Sequence, residues 1–168
     1  MLCRRNVRPC KKRGPLVEKT TSGKGTKLMV LADGSGTLLG IYVDKASPAE
    51  VTLAEATLDS VKVKIGKRKR GKPKRLVADR AYDSNKLRNL QVSRGIEPII
   101  PARDKNKVAT HQDKRKLRRY KHRWIIERTN SRLQNFRPLT VRYERSAKVF
   151  IALIHVAFVL ITLKRVLG

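Results

Sequence analysis

Residues 27–43 read KLMVLADGSGTLLGIYV, two β-rich runs on either side of a turn sequence. Asp-Gly between apolar runs is a strong hairpin signal, because Asp and Gly both accept the backbone conformations that tight turns need. Because the turn explains why Asp33 is present, we do not assign this residue a catalytic role. We therefore expect two antiparallel strands joined at residues 33–36.

Helix and strand patterns alternate after this hairpin. Ser47-Pro48 is typical of a helix start, with Ser47 as the N-cap and Pro48 in the first turn. A short apolar strand follows at residues 75–79. A second helix is expected between Ser84, which can cap its start, and Gly95, which can close its end.

The remaining chain adds one strand and two helices. Residues 96–101 (IEPIIP) predict a short strand whose prolines favour a strand end or a sheet edge. Helical patterns cover residues 113–136, ended by Pro138, and about 146–166. The last helix is almost entirely apolar but short for a membrane span, so we expect a buried helix and no membrane partner. The order of elements predicts an α/β fold.

The charge of the chain indicates a polyanionic partner. It has 41 Lys and Arg against 13 Asp and Glu, a formal net charge of +28. A charge run is usually a solvated face, but residues 64–75 and 114–123 hold far more basic residues than solubility requires. Contact with nucleic-acid phosphates is therefore the better interpretation. The candidate phosphate contacts from these runs are Lys67, Arg68, Lys69, Arg70, Arg118 and Arg119.

The cellular compartment is predicted from the cysteines and the first residues. Cys3 and Cys10 match neither a zinc site nor a disulfide framework, so we expect free thiols in a reducing compartment. No apolar stretch typical of a secretory signal is present at the start. We expect a cytoplasmic protein of a bacterium, acting on chromosomal DNA.

Two carboxylates lie in apolar surroundings. Asp79 closes the short strand, where a carboxylate is expected only if it points into a site at the sheet edge. Glu127 follows Trp124, which we interpret as core, in an apolar stretch of helix. Such a carboxylate must be paired or bound to a cation. Arg123 lies four residues earlier, so a simple ion pair with Glu127 stays open as an alternative.

The sequence around these carboxylates resembles that of the DDE transposases of bacterial insertion sequences. Asp79-Arg80-Ala81-Tyr82 matches the motif of the second catalytic Asp, and Tyr120, Arg123 and Glu127 match the spacing of the motif that carries the catalytic Glu. The resemblance extends over roughly residues 9–165. It implies an RNase H-like mixed sheet with flanking helices, here over residues 27–168, and an enzyme that cuts and joins DNA at element ends.

The resemblance also implies the site. Asp79 and Glu127 would be catalytic residues and ligands of Mg²⁺, which Mn²⁺ can replace, because hard cations take carboxylate oxygens. Arg123 would orient Glu127 or contact DNA, and Tyr120 would contact the DNA backbone. The expected partners are the insertion-sequence ends and the target DNA, with a homodimer as one option.

The first catalytic Asp of the family has no counterpart. Counting back from the turn at residues 9–14 leads to Arg4, and no acidic residue precedes Glu18. We therefore expect a chain truncated at its N-terminus, with residues 1–26 as a basic arm or a remnant of the first strand. The first central strand would be largely missing. An arginine at a metal-bridging position repels Mg²⁺, so an inactive transposase fragment is expected.

Two other functions stay open from the sequence alone. A non-catalytic protein that binds nucleic acid through its basic surface is the main alternative. A small RNA-binding protein of ribosomal type fits the charge and size, but Asp79 and Glu127 in their motifs count against it.

Overall fold

The computed structural model describes residues 2–21, 23–61, 73–102 and 114–167. Within them a sheet of six strands is combined with six α-helices. The strands are β1 (Leu2–Pro9), β2 (Glu18–Thr20), β3 (Gly23–Ala32), β4 (Leu38–Lys45), β5 (Arg75–Val77) and β6 (Glu97–Ile99). The helices are α1 (Glu50–Asp59), α2 (Asn85–Ser93), α3 (Lys114–Leu117), α4 (Arg123–Gln134), α5 (Arg137–Thr140) and α6 (Ala147–Leu167).

The sheet is mixed, and the predicted α/β class is confirmed. Its strands follow the order β2-β3-β1-β5-β6, and β4 pairs with β3 as well. β3 runs antiparallel to β1, β2 and β4, whereas β5 is parallel to both β1 and β6. The predicted hairpin is β3 and β4, and β6 lies at the sheet edge, one of the two positions that its prolines favoured.

The hairpin turn uses Asp33 structurally. Its carboxylate oxygen Oδ1 accepts hydrogen bonds from the backbone N–H groups of Ser35 (2.9 Å) and Thr37 (2.8 Å) and from the Ser35 hydroxyl (2.7 Å). Partial burial by itself raises the pKa of Asp33, but these hydrogen bonds outweigh it and hold the pKa below its ordinary value. Gly36 completes the turn with a φ of +88°, a conformation that glycine adopts without strain.

The first strand is present, and the expectation that it is largely missing is wrong. β1 pairs with β3 over eight residues, from Leu2 opposite Ala32 to Pro9 opposite Gly25, and with β5 at Leu2. The basic composition misled the prediction, because strand pairing is made by backbone N–H and C=O groups that every residue except proline supplies in full. Of the two alternatives for residues 1–26, a strand is therefore observed over Leu2–Pro9.

The two faces of the sheet bury two separate hydrophobic clusters. Successive side chains of a strand point to opposite faces, so Leu28 and Val30 pack with α4 and α6, while Met29 and Leu31 pack with α1 and α2. All four side chains are completely buried. The helices thus cover both faces of the sheet and fix α4 against one of them.

The last helix is buried along one stripe only, which corrects the expectation of a buried helix. Phe150, Ile154 and Ala157 are buried against the core. Its outer face exposes several apolar side chains: Val149, Val156, Val159, Leu160, Leu163 and Leu167. In the described part of the chain, this is the one helix long and apolar enough to cross a membrane by length and composition, over Ala147–Arg165.

Three predicted helix boundaries differ from the structure. α1 begins after Ala49 rather than Ser47, because the Ser47 hydroxyl and backbone N–H both bind the Glu18 carboxylate instead. The expected helix at 113–136 is divided by a 3₁₀ helix at Arg118–His122. Pro138 lies in the first turn of α5, where its missing N–H costs nothing, and so does not end a helix.

Arg142 is buried and links the segment before α6 to β3 and to the residue after β1. Its side chain is 1% exposed; it donates to the Thr26 hydroxyl at 2.9 Å and to the backbone carbonyl oxygens of Glu144 and Arg145. Its guanidinium also lies 5.1 Å from the ring centre of Phe150. A backbone bridge joins it to Cys10, which directly follows β1.

Candidate active site

Asp79 lies where the chain leaves β5. β5 ends at Val77, Ala78 is buried, and the Asp79 side chain is 47% exposed. Its carboxylate accepts a hydrogen bond from the backbone N–H of Arg80 at 2.7 Å and so caps a 3₁₀ turn at Arg80–Tyr82. This places the carboxylate at the carboxyl end of a buried strand, as the sequence predicted.

Glu127 is held beside the sheet by the buried face of α4. Ile125, Ile126 and Leu133 of this helix lie in the core and contact the sheet. Glu127 directly follows the buried Ile125 and Ile126, and its own side chain is 37% exposed. It therefore lies at the boundary between the buried and the exposed face of α4. The helix thus presents the carboxylate at the rim of the core.

One guanidinium joins the two carboxylates. Arg123 lies 3.3 Å from Asp79 through Nη1 and 3.3 Å from Glu127 through Nη2. The Tyr120 hydroxyl donates to Asp79 at 3.0 Å and accepts from Arg123 at 3.1 Å. The Arg123–Glu127 pair that the sequence left as an alternative therefore exists, but it belongs to a larger cluster of Asp79, Tyr120, Arg123 and Glu127, called the carboxylate cluster below.

The cluster shifts the ionisation of its own members. Burial raises the pKa of the Tyr120 phenol, and its hydrogen bond to Asp79 raises it further, although Arg123 opposes this. Burial lowers the pKa of Arg123, but Tyr120, Glu127 and Asp79 outweigh that effect and raise the pKa above its ordinary value. At neutral pH the phenol therefore keeps its proton for donation, and the guanidinium stays charged between the carboxylates.

The donor set suits a hard divalent cation. Carboxylate oxygens are the preferred ligands of Mg²⁺, which is often held by one or two carboxylates and keeps several waters. Asp79 and Glu127 meet that requirement, and Arg123 marks the place between them as one that accepts positive charge. Among the described residues no group of three or more His, Cys, Asp or Glu side chains gathers around a common point.

Arg4 lies on β1, the strand next to β5 in the sheet. Leu2 of β1 is paired with Val77 of β5 in parallel, and Arg4 and Asp79 both lie two residues further along. Asp79 lies beyond the last residue of β5, so the β1–β5 pairing stops before these two residues.

The predicted DNA contacts divide into two groups. Lys67, Arg68, Lys69 and Arg70 lie outside the described residues. Arg118 and Arg119 are exposed on the 3₁₀ helix just before the cluster. Arg119 also lines a cleft of about 410 Å³ with Lys74, Arg75 and His122. Of these residues, Lys74 and Arg75 lie at the amino end of β5.

Trp124 corrects one interpretation and adds a residue that sequence reasoning missed. We expected it in the core, but its side chain is 51% exposed because α4 turns Ile125 and Ile126 toward the sheet instead. The guanidinium of Arg128 lies 4.6 Å from the centre of its ring. A signal for this was available, since Trp124 and Arg128 are four residues apart and share a helix face.

Comparison with known proteins identifies the family. The family described as Transposase DDE domain matches residues 9–162. A protein of Burkholderia cepacia, assigned as the transposase for insertion sequence element IS402, is 32% identical over 127 residues. The aligned part covers 74% of this chain and 56% of that protein, so the chain spans little more than half the length of this relative. The chain therefore belongs to the DDE transposases of bacterial insertion sequences.

Proposed function

We propose that this chain is the DNA-binding catalytic domain of an insertion-sequence transposase, built for metal-dependent cleavage and joining of DNA strands. The observation that carries the proposal is the carboxylate cluster, in which one guanidinium joins Asp79 and Glu127 from distant parts of the sequence. Two carboxylates on unconnected elements are brought together only by the tertiary fold. The net charge of +28 supplies the attraction for DNA.

An RNase H-like sheet is part of this proposal. In such a sheet the first strand is central, between the hairpin and the strand that ends in the second catalytic Asp. β1 lies between β3 of the hairpin and β5, which leads to Asp79. The strand order and the antiparallel hairpin support this arrangement, with helices on both faces as the resemblance implies.

The roles of the residues follow from their contacts. Asp79 and Glu127 would hold a divalent cation, for which we propose Mg²⁺ with Mn²⁺ as a substitute. When bound, such a cation stabilises the charge that develops on a phosphodiester. Tyr120 orients the Asp79 carboxylate through its hydroxyl proton. Arg123 holds both carboxylates in place and offers its remaining N–H groups to a phosphate oxygen.

We further propose that this chain binds DNA without cutting it. By the family likeness Arg4 stands at the position of the first catalytic Asp, and it lies on β1, the strand next to β5 in the sheet. By the family likeness the two-ion site is built from three carboxylates, and this chain supplies two of them, Asp79 and Glu127. A positive residue at that position would weaken cation binding further.

A second candidate is a non-catalytic protein of this family that binds nucleic acid through its basic surface. The observation in its favour is that both carboxylates are already paired with Arg123, as in a structural ion pair. In that case Asp79 and Glu127 only hold α4 to the end of β5, and divalent cations do not bind there.

Metal binding distinguishes these candidates. Mn²⁺ binding is measured by titration calorimetry on the wild type, on Asp79→Asn and Glu127→Gln, and on Asp44→Asn as a control carboxylate outside the cluster. Circular dichroism checks that each variant is folded. We expect binding heat in the wild type and in the control, its loss in Asp79→Asn, and weaker binding in Glu127→Gln. Equal binding by wild type and Asp79→Asn would refute the metal site and favour the second candidate.

Restoring the missing carboxylate tests the chemistry. Nicking of supercoiled DNA is measured with Mn²⁺ for the wild type, for Arg4→Asp and for the double variant Arg4→Asp/Asp79→Asn. We expect no nicking by the wild type, measurable nicking by Arg4→Asp, and none by the double variant. Nicking by the wild type that survives Asp79→Asn would show that the cluster is not the active site.

A further inference from the structure

The side chain of Trp124 is exposed on α4, one residue after Arg123 of the carboxylate cluster. It is the one tryptophan in 168 residues, it directly follows Arg123, and about half of its surface is open to solvent. Arg128 lies over its ring at 4.6 Å from the ring centre. A large aromatic side chain left in water on a helix whose other face is buried is an available stacking surface.

A cationic groove begins at the same place. It lies between α4 and α6 and has a volume of about 940 Å³. Its apolar floor is formed by Phe136, Leu160, Ile161, Leu163 and Leu167. Its cationic side chains are Arg128, Arg132, Lys164 and Arg165. Arg128 belongs both to this groove and to the Trp124 stack, so the two features are continuous.

The four cations of the groove are available to a partner. Across the described ranges, none of them forms a salt bridge with a carboxylate of this chain. Arg132 follows Arg128 by four residues, so both project from the same face of α4, while Lys164 and Arg165 approach from α6. Four cations along one groove attract an anion with repeated charges.

We propose that this groove binds one unpaired DNA strand, with phosphates on the four cations and a base stacked on Trp124. The inference rests on the proposed function, because it takes the DNA of that proposal as the ligand of the groove. An unpaired strand is favoured over a duplex because a base can stack on an aromatic ring only when its face is uncovered. The groove then guides the strand along α4, from Trp124 toward the end of α6.

Charge and stacking together favour a DNA strand over a second copy of the chain or a membrane. A second copy of the chain carries the same excess of 28 positive charges and the same four cations, so it is repelled from the groove. An anionic membrane satisfies the charges and the exposed apolar face of α6, but it offers no flat aromatic partner to Trp124. A DNA strand supplies both repeated phosphates and stacking faces.

The single tryptophan makes the stacking directly measurable. Its intrinsic fluorescence is followed while a single-stranded oligonucleotide is added to the full chain, with fluorescence anisotropy of a labelled oligonucleotide as an independent measure of binding. We expect quenching that follows the anisotropy curve. Trp124→Leu should bind about 5- to 150-fold more weakly, and Trp124→Phe should recover part of that loss because the phenyl ring still stacks.

The groove cations are tested by the salt dependence of binding. Arg128→Gln/Arg132→Gln removes two charges from the groove, and Lys19→Gln/Lys86→Gln removes two from exposed positions elsewhere. For a single strand, the slope of log affinity against log salt should fall in magnitude by about 1.4 in the groove variant. The control variant should change it by less than half as much.

The outcomes separate this inference from the proposed function. If DNA binds without quenching, and the groove and control variants have equal salt slopes, the groove is not the site, while metal binding at Asp79 can still stand. If Mn²⁺ binding fails but quenching and the groove slope are as expected, the catalytic proposal falls and the groove remains. Quenching by phosphatidylglycerol vesicles but not by DNA would replace the strand with a membrane surface.

Discussion

The hydroxyl of Tyr120 donates a hydrogen bond of 3.0 Å to the carboxylate of Asp79, 41 residues earlier in the chain. The same hydroxyl accepts from Arg123 at 3.1 Å, which fixes the direction of its own proton. Because this proton cannot point elsewhere without losing a bond, the phenol holds Asp79 in one orientation. The carboxylate cluster is therefore organised before any ligand arrives.

Tyr120→Phe should weaken Mn²⁺ binding by about tenfold, because loss of an outer hydrogen bond leaves a metal-binding carboxylate less well oriented. The free energy of unfolding should fall by only about 0.5–1.5 kcal/mol, the usual net contribution of one hydrogen bond. Calorimetric titration and urea unfolding measure the two effects. Tyr143→Phe, at a tyrosine that is 53% exposed, serves as the control and should change neither.

Arg123→Gln should strengthen Mn²⁺ binding by about fivefold at low salt, because a positive charge some 4 Å from an incoming cation costs about 1 kcal/mol in a water-like dielectric. The same variant should bind DNA more weakly. In the wild type the guanidinium of Arg128 lies over Trp124 and not beside the carboxylates. Arg128→Gln should therefore leave the Mn²⁺ affinity unchanged. Weaker Mn²⁺ binding in Arg123→Gln would mean that orientation of Glu127 outweighs charge repulsion.

Asp33 should make the stability of the fold depend on acid. Its folded pKa is held below its unfolded value of about 3.9, so its stabilising effect is complete above that pH and is lost as the pH falls through the folded pKa. Asp33→Ala should lower the free energy of unfolding by about 1–2 kcal/mol at pH 7. The difference between wild type and variant should shrink below pH 4 in chemical unfolding experiments. A difference that stays constant with pH would contradict the role of the ionised carboxylate.

Gly36→Ala should destabilise the contact between the hairpin and α4. At its φ of +88° an alanine is strained, and the added Cβ would meet Ile125 at 3.1 Å and Thr129 at 3.2 Å. We expect a loss of about 1–3 kcal/mol in the free energy of unfolding. Gly34→Ala is the matched control, since no atom lies within 4 Å of its added Cβ and its φ is not positive. Equal stability of the two variants would contradict this packing.

Phe150→Ala should cost about 3–5 kcal/mol, because its ring is completely buried against the sheet and beside Arg142. Val149→Ala, one residue away and 50% exposed, should change the free energy of unfolding by no more than about 0.5 kcal/mol. Thermal and urea unfolding measure both. Similar losses would mean that the outer face of α6 is covered in solution.

Local patterns predicted the parts of this fold that depend on neighbouring residues. The Asp-Gly turn predicted the hairpin, and the alternation of apolar runs predicted the order of helices and strands, because both follow from short-range geometry. The motif around Asp79 and the helix around Glu127 likewise identified the carboxylates. Their meeting at Arg123 was expected only through the family likeness, since sequence spacing holds no information on distance in space.

The wrong predictions share one physical cause. Ser47, Trp124 and the first strand were interpreted from their own chemistry, whereas their positions are decided by partners far away. The Ser47 hydroxyl donates to Glu18 instead of capping α1. The packing of Ile125 and Ile126 against the sheet turns Trp124 outward. β3 supplies the backbone partners that make a strand of a basic segment. Tertiary contacts override local preference at these three places.

The buried contacts of Arg142 set an order of events during synthesis. The ribosome releases Thr26 long before Arg142, which follows 116 residues later, so the contacts of Arg142 with Thr26 and Cys10 form late. β1 and the hairpin can pair as soon as they emerge, but the apolar face of the sheet that packs with α4 and α6 is covered only when those helices follow. A nascent chain stalled before residue 142 should therefore expose an unfinished sheet to proteases and chaperones, whereas a chain stalled after α6 should resist them.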